Sequence, residues 1–161
     1  MENFGGHTYA AGLSLKEENL DAFTQRFLKL AADEIIPEQM TPQIDIDAVL
    51  DLQDINAKFM SELKKMNPFG PDNQKPVFCS LGVKDYGTSK LVGKDLEHIK
   101  LELIDDKSNT PIHGIAFGMH QHNTHIKNMK PFNICYTIEE NTYNGNTSLQ
   151  LMVKDIKEND I

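Results

Sequence analysis

The sequence predicts an α+β protein in which a segment of mixed helices and strands precedes an all-β barrel of five strands. Over residues 1–66, apolar residues recur at helical spacing in two stretches, with a strand-like alternation between them. After residue 70, five short runs alternate apolar and polar residues, and each ends in turn residues. Proline, glycine and asparagine cluster between the two patterns. We therefore predict a first domain of residues 1–66, a linker of residues 67–75 and a second domain of residues 76–161.

The first helix is predicted from a capping pattern followed by an apolar stripe. Ser14 and Glu17 fit a capping box, which places the start of a helix there. Pro37 ends the helix, because proline cannot continue its hydrogen bonding. The stripe consists of Leu20, Phe23, Phe27 and Leu30.

A strand and a second helix follow in the first segment. Residues 44–50 alternate as in a half-exposed strand, and Asp51 is placed to cap the helix after it. Asn67-Pro68 stops this helix. Its apolar stripe consists of Leu52, Ile55, Phe59, Leu63 and Met66. The same region holds the densest acidic group, which a solvated strand face and a helix cap explain: Asp45, Asp47, Asp51 and Asp54.

The five later runs predict a small closed barrel. Five short strands within roughly 80 residues, with no helical pattern between them, favour an OB-fold. Asn141 to Gly145 contains Asn-Gly and is interpreted as a hairpin turn. The runs are Val77–Val83, 98–103 with Ile99 and Leu101 on one face, 114–119 with Ile115 and Phe117 on one face, 132–139, and 149–154.

Composition excludes several classes of protein. No apolar run approaches the roughly 18 residues needed to cross a membrane, and no signal peptide opens the chain, so we predict a cytoplasmic protein without membrane contact. Cys79 and Cys135 lie in apolar strand-like runs, which favours packed free thiols over a disulfide. The net charge of −8 and the single arginine, Arg26, argue against strong autonomous binding of nucleic acid. Residues 67–161, with ten basic and twelve acidic side chains, are nearly neutral.

Residues 4–15 contain a glycine-rich motif, Phe-Gly-Gly-His-Thr-Tyr-Ala-Ala-Gly-Leu-Ser-Leu. It resembles the glycine–histidine signature of the DHH-associated domain of DHH-family phosphoesterases. Four later motifs follow in order, and together they are similar to the C-terminal part of RecJ-type single-strand-specific exonucleases. They are Asn-Pro-Phe-Gly at 67–70, Lys-Pro-Val-Phe at 75–78, Gly-Ile-Ala-Phe at 114–117 and the asparagine-rich run at 141–150.

This resemblance implies that the first domain is a truncated α/β DHH-associated domain and that the barrel is an OB-fold. It implies a C-terminal fragment that is inactive alone, because the ligands of the catalytic Mn²⁺ or Mg²⁺ belong to a preceding DHH domain. The implied partners are single-stranded DNA and single-strand-binding protein, and exposed apolar faces of the truncated half favour a homodimer. The implied substrate-gripping residues are Gly5, Gly6, His7, Ala10, Ala11 and Gly12.

The most basic cluster of the barrel is a second candidate site. Single-strand binders combine such charges with aromatic stacking surfaces. An ordinary polar outer face explains the same residues equally well, and the resemblance favours the functional interpretation, since RecJ-type sequences carry His-hydrophobic-Lys in this strand. The cluster consists of Tyr86, Lys90, Lys94, His98 and Lys100.

Two loops receive structural interpretations. His120, His122 and His125 are metal-ligand residue types, but no cysteine or carboxylate lies nearby in sequence, so we predict a mobile, solvated loop. Residues 67–70 are interpreted as a hinge and packing plug. Asp72 stands where the resembled family commonly has glycine, which puts the backbone conformation of that loop in question.

Two other functions remain open from the sequence. The barrel fits a protein-interaction module, which suits the acidic charge. The glycine–histidine motif also occurs in phosphodiesterases of oligonucleotides or cyclic dinucleotides, although such small substrates need no appended barrel.

Overall fold

The computed structural model describes residues 3–7 and 9–158 and confirms a mixed α+β chain with a mostly β, OB-like region. The chain divides into two compact units, Met1–Ile44 and Asp45–Ile161. In the described part of the chain, no helix is long and apolar enough to cross a membrane.

The first unit is a hairpin followed by a helix. Its elements are β1 (Asn3–His7), β2 (Ala10–Ser14), a 3₁₀ turn (Glu17–Asn19), α1 (Leu20–Glu34) and a second 3₁₀ turn (Pro37–Met40). The glycine-rich motif forms these two antiparallel strands. The predicted capping box is absent, because a 3₁₀ turn precedes α1 and its cap residue Asn19 makes no side-chain cap bond. None of the described residues of this unit is buried, although a few are partly covered by their neighbours.

The second unit is a sheet of seven described strands with two helices. The strand order is β3-β4-β8-β9-β7-β6-β5, and β4 also pairs with β6. Five strands therefore form a closed circuit in which each pairs with two others: β4, β6, β7, β9 and β8. The elements are β3 (Ala48–Val49), α2 (Ala57–Lys64), β4 (Phe78–Asp85), β5 (Lys90–Val92), β6 (His98–Ile104), β7 (Ile112–Ala116), α3 (Asn123–Lys127), β8 (Phe132–Tyr143) and β9 (Asn146–Glu158).

One of these strands was not predicted, and another is shorter than predicted. β5 has three residues, and β3 has two where a strand over residues 44–50 was expected. A run of two or three residues is too short to show a period of two. The sheet is accordingly larger than the five strands expected from the sequence.

The structure divides the chain earlier than the predicted boundary at residues 67–75. Leu52, Ile55 and Leu63, from the region before that linker, belong to the same buried apolar cluster as the barrel strands. Backbone bonds also join the two parts, since Asp47 N–H donates to Val77 O at 2.8 Å. Residues 45–66 therefore fold with the barrel.

The second helix is capped by a different residue from the one predicted. Asn56 Oδ1 accepts hydrogen bonds from Lys58 N at 3.0 Å and Phe59 N at 3.1 Å. Asp51 instead precedes a short 3₁₀ turn, makes no side-chain cap bond, and pairs with Lys107 at 2.8 Å. α2 consequently starts at Ala57, later than the sequence pattern indicated.

The barrel interior follows the predicted alternation except in β7. Ile99, Leu101 and Leu103 of β6 are fully buried, as their spacing predicts. In β7 the small residues face inward, and the larger Phe117 that follows the strand is 54% exposed. The reason is space: a Cβ on Gly114 would lie 3.5 Å from the Cβ atoms of both Leu101 and Leu151. The interior at this point leaves no room for a large side chain.

Positive φ angles occur in the two turns that were singled out from the sequence. Asn144 (φ 49°) and Gly145 (φ 79°) connect β8 and β9 and confirm the predicted hairpin, because both central positions of a type I′ turn need positive φ. Asp72 has φ 62° in the Gly70–Asn73 turn, where Gly70 and Asn73 exchange backbone bonds of 2.9 and 3.1 Å. Proline and then a positive φ at the two central positions are typical of a type II turn, which favours glycine at the second.

Candidate nucleic-acid interface

The basic cluster lies on the outer surface of strands β5 and β6. Lys90 stands directly opposite Lys100 in the antiparallel ladder, and Val92 stands opposite His98. Lys100 is in turn opposite Ile115 of β7. Directly opposed residues share one face of a sheet, so two ammonium groups and an apolar neighbour form one surface.

The lysines of this surface differ from most other lysines of the second unit. Six of those others pair with carboxylates, for example Lys64 with Glu140 and Lys75 with Glu139, both at 2.7 Å. Within the described residues, Lys90, Lys94 and Lys100 have no ion pair. Their charges are therefore available to an anion.

Both ring nitrogens of His98 are engaged inside the protein. Nδ1 accepts a hydrogen bond from Gly118 N at 3.0 Å, which leaves the proton on Nε2, 3.3 Å from Glu97 Oε1. The imidazole also contacts Phe117 edge-to-face, with ring centroids 4.8 Å apart. His98 thus holds Phe117 and the adjoining backbone in place, and its direct contact with nucleic acid stays a prediction.

Phe117 is the residue of this surface that sequence reasoning missed. Its ring is more than half exposed and contacts His98, which lies on the same strand, β6, as Lys100. The signal was present in the sequence, since the small residues Gly114 and Ala116 mark the inward face and leave Phe117 on the outward one. Tyr86, which was predicted, is 51% exposed just beyond β4.

Lys94 lies in a tight turn ahead of β6. Gly93 has φ 95°, and Leu96 N–H donates to Gly93 O at 3.3 Å. The Glu97 carboxylate fills the space beside Gly93, where an added Cβ would come within 2.9 Å of Oε2. The pKa of Glu97 is lowered, chiefly by the hydrogen bond from its own backbone amide. The turn therefore presents Lys94 to solvent next to a fixed carboxylate.

The acidic side chains at the other end of this surface are paired. Glu102 accepts a hydrogen bond from Thr88 Oγ1 and lies 3.6 Å from His113 Nδ1. The positive part of the surface is accordingly confined to Lys90, Lys94 and Lys100.

The hairpin of the first unit gathers the other predicted site residues. Gly5 faces Gly12 across the two strands, and a Cβ on either would meet no atom within 4 Å. A Cβ on Gly6, by contrast, would lie 2.8 Å from atoms of Ala10 and Ala11. His7 Nδ1 accepts from Tyr9 N at 3.3 Å, which leaves Nε2–H as a donor at the exposed end of the hairpin.

The histidine segment is not the solvated loop that was predicted. It forms a short 3₁₀ turn and α3, and Glu158 approaches two of its imidazoles. His122 Nδ1 lies 2.8 Å from one Glu158 oxygen, and His125 Nδ1 lies 3.1 Å from the other. The carboxylate comes from the end of β9, so proximity along the sequence could not reveal it.

The described residues contain no group of three or more histidine, cysteine, aspartate or glutamate side chains arranged to hold a metal ion. The acidic residues of 45–54 have structural contacts instead. Asp47 accepts a hydrogen bond from Val77 N at 2.9 Å, and Asp51 pairs with Lys107.

Comparison with known proteins agrees with this architecture. Residues 46–155 match the family described as the RecJ OB domain. The single-stranded-DNA-specific exonuclease RecJ of Haemophilus influenzae is 29% identical over 154 residues, which are 96% of this chain and 26% of that protein. RecJ of Bacillus subtilis is 28% identical over 156 residues, 96% of this chain and 19% of that protein. The chain thus spans about a quarter or less of the length of these relatives.

Solved structures show the same fold. RecJ of Thermus thermophilus in complex with Mn²⁺ superposes with a TM-score of 0.75 at 19% identity, over 99% of this chain and 22% of that one. The same protein in complex with Mg²⁺ gives a TM-score of 0.74. The family match covers more than half of the chain, and we conclude that this protein belongs to the RecJ OB domain family.

Proposed function

We propose that this chain is the C-terminal part of a RecJ-type 5′→3′ single-stranded-DNA exonuclease and that its barrel guides single-stranded DNA toward the catalytic site. The observation that carries the proposal is the direct opposition of Lys90 and Lys100, together with the exposed ring of Phe117 held against His98, which shares strand β6 with Lys100. We call Lys90, Lys94, Lys100 and Phe117 the strand surface.

The electrostatics of the strand surface favour an anionic ligand. Like charges directly opposite on neighbouring strands destabilise a sheet, and no carboxylate among the described residues pairs with either lysine. A phosphate between the two ammonium groups removes this repulsion. Phe117 offers a face on which a base stacks, and stacking of this kind tolerates any base sequence. Charge and stacking together fit a nuclease that acts without sequence preference.

The hairpin of the first unit supplies the second part of the proposal. We infer that the first unit, residues 1–44, derives from a DHH-associated domain and that Gly5, Gly6, His7, Ala10, Ala11 and Gly12 grip the terminal nucleotide. Gly5 and Gly12 have no side chains, so a nucleotide can approach the backbone closely at these positions. His7 Nε2–H is a donor for a phosphate oxygen.

Metal chemistry belongs to another part of the enzyme in this proposal. The Thermus RecJ structures are complexes with Mn²⁺ and Mg²⁺. The described residues of this chain offer no ligand cluster that fits such an ion. The role of this chain is therefore to bind and orient DNA.

The test is equilibrium binding of a labelled oligothymidylate over a series of salt concentrations. We expect weak binding that falls steeply with salt. The Lys90→Ala, Lys100→Ala double variant should reduce the slope of log affinity against log salt by about 0.7 for each phosphate that the variant no longer neutralises. The matched control is Lys58→Ala, which removes an exposed lysine on α2 and should leave the slope unchanged.

A protein-binding role for the barrel is the second candidate. The net charge of −8 and the exposed side chains of Leu96 and Phe117 favour it. Single-strand-binding protein is the partner we propose in that case. DNA binding that does not depend on salt, or that the Lys90→Ala, Lys100→Ala variant retains unchanged, would support the protein-binding role over the DNA-guiding role.

We also propose that the chain forms a homodimer through its first unit. The exposed apolar side chains of α1 are the basis, since large apolar patches promote association. They include Leu20, Phe27, Leu28 and Leu30.

A further inference from the structure

The two cysteines of the chain lie directly opposite each other in the barrel. Cys79 in β4 is the register partner of Cys135 in β8. Both thiols are free, and the side chains are 7% and 8% exposed. They are the only cysteines in the sequence.

The hydrogen bonding of β4 fixes which kind of pair this is. Cys79 O accepts from Leu50 N at 2.8 Å, so the peptide groups of Cys79 point toward the segment that continues β3. Opposed residues in an antiparallel ladder alternate between hydrogen-bonded and non-hydrogen-bonded pairs. Because Cys79 turns its carbonyl away from β8, Cys79 and Cys135 form a non-hydrogen-bonded pair. Such pairs have Cα atoms about 4.5 Å apart, with their side chains close together.

This spacing lies within the range that a disulfide requires, at its short end. Disulfides join Cα atoms roughly 4.4 to 6.8 Å apart, and departures from the usual geometry make the bond easier to reduce. Cys135 Sγ lies 3.9 Å from Asp155 O. Among the described residues, this contact is the one hydrogen bond of either sulfur, and Cys135 gives it up when the disulfide forms.

The environment keeps both groups as thiols at rest. Burial raises the pKa of Cys79, and burial, with the charge of Asp155 and of Cys79 itself, raises the pKa of Cys135. The influence of one thiol on the other agrees with their proximity. A raised pKa slows attack by sulfur, because the thiolate is the nucleophile.

We propose that Cys79 and Cys135 form a redox-active dithiol that peroxide oxidises to a reversible cross-strand disulfide. One thiolate attacks a peroxide oxygen, the O–O bond breaks, and a sulfenic acid and hydroxide result. The second thiolate attacks that sulfur and expels hydroxide, which leaves with the proton of the thiol as water. Two thiols are oxidised and one peroxide is reduced to two waters. The new bond joins the neighbouring strands β4 and β8.

The experiment treats the folded, fully reduced protein with hydrogen peroxide at low protein concentration, followed by alkylation and intact-mass analysis. We expect a monomer that has lost two hydrogen atoms and takes up no alkyl group, with Cys79 and Cys135 linked in a peptide digest. The reaction should accelerate as pH rises, because the thiolate fraction increases. Addition of a dithiol should restore two alkylatable thiols.

Cys79→Ser and Cys135→Ser, each alone, are the matched controls and should give only a sulfenic acid or intermolecular dimers. The wild-type result decides the proposal even where a variant folds poorly. Persistence of both thiols in a folded protein, under peroxide that oxidises an exposed model thiol, would overturn it. Oxidation to sulfinic acid without a disulfide would overturn it as well.

Discussion

At the scale of single residues, the contribution of Phe117 distinguishes a DNA-binding surface from an ordinary polar surface. Stacking of one base on an aromatic ring contributes about 1–3 kcal/mol by alanine substitution. Phe117→Ala should therefore weaken oligothymidylate binding about 5- to 150-fold. Because the ring is exposed, the melting temperature should change little. Affinity comes from binding titrations and stability from thermal melts.

A matched control tests whether the ring matters or only its apolar area. Leu81→Ala removes another exposed apolar side chain from the same unit and should leave DNA affinity unchanged. Phe117→Tyr should retain most of the affinity, because tyrosine also stacks. Equal losses from the Leu81 and Phe117 variants would contradict a stacking role.

Asp105 illustrates a residue whose importance lies in the backbone it binds. Its carboxylate accepts hydrogen bonds from Leu52 N at 2.7 Å, Lys107 N at 2.9 Å and Ser108 N at 2.6 Å. Burial alone raises the pKa of Asp105, but these hydrogen bonds outweigh it, and the pKa is lowered overall. The residue joins the region before the second helix to the loop after β6.

The lowered pKa of Asp105 predicts the direction of a pH effect. A depressed folded-state pKa adds stability above the ordinary aspartate pKa of about 3.9, and that stability is lost as pH falls through the folded value. Asp105→Ala should destabilise the protein by about 1–3 kcal/mol at neutral pH, since three backbone donors lose their acceptor. As the pH decreases from neutral to acid, the unfolding free energy of the variant should also fall less steeply than that of the wild type. Denaturant titrations at several pH values measure both effects, and parallel curves for variant and wild type would count against this account.

At the scale of elements, the Gly70–Asn73 turn shows a local conflict between residue and backbone. Asp72 adopts φ 62°, a region that glycine enters without steric cost and aspartate tolerates less well. Asp72→Gly should raise the unfolding free energy by about 0.5–1 kcal/mol, because glycine relieves the backbone strain of the folded state. Part of this gain is lost, because glycine also has more conformational freedom in the unfolded chain. Asp72→Ala should lower it by a similar amount. Denaturant titrations of the two variants beside the wild type measure both changes.

Asp72→Asn controls for the loss of charge in that comparison, because asparagine also tolerates positive φ. It should lie within about 0.5 kcal/mol of the wild type. A glycine variant less stable than the asparagine variant would show that the side chain of Asp72, rather than its backbone angle, determines stability here.

The elements also show which features a sequence can predict. β6, β8 and β9 follow their alternation because each buries a full face of apolar residues, such as Ile99, Leu101 and Leu103. β7 departs from it because the space inside the barrel is set by Leu101 and Leu151, which belong to other strands. The opposition of Lys90 and Lys100 likewise depends on the register of β5, a strand too short to recognise by pattern.

At the scale of the whole molecule, closure of the barrel depends on contacts between distant parts of the chain. β4 meets β6 through pairs such as Lys84 with Ile104, and β7 lies parallel to β9. Five alternating runs indicated the barrel, but no local pattern specifies which strands pair. The contact of Glu158 with two histidines has the same origin, since it depends on where β9 ends.

The share of the relatives that this chain spans leads to a prediction about activity. The chain supplied with Mn²⁺ or Mg²⁺ should release no nucleotides from 5′-labelled single-stranded DNA, because its described residues offer no metal-ligand cluster. Denaturing gels of the labelled product measure this. Release that His7→Ala abolishes, in a preparation free of other nucleases, would refute the prediction.

The division into two units leads to the last prediction, which concerns removal of residues 1–44. Every member of the buried apolar cluster lies between Leu52 and Ile156, whereas the described residues of the first unit include none that is buried. A chain of residues 45–161 should therefore keep the melting temperature of the barrel and its affinity for oligothymidylate, while losing any dimer measured by analytical ultracentrifugation. Phe27→Asp in the full chain is the matched control, since it places a charge on the exposed face of α1 and should reduce dimerisation without truncation. Loss of DNA binding on truncation would instead assign part of the strand surface to the first unit, and dimers that persist in both variants would assign the interface to the barrel.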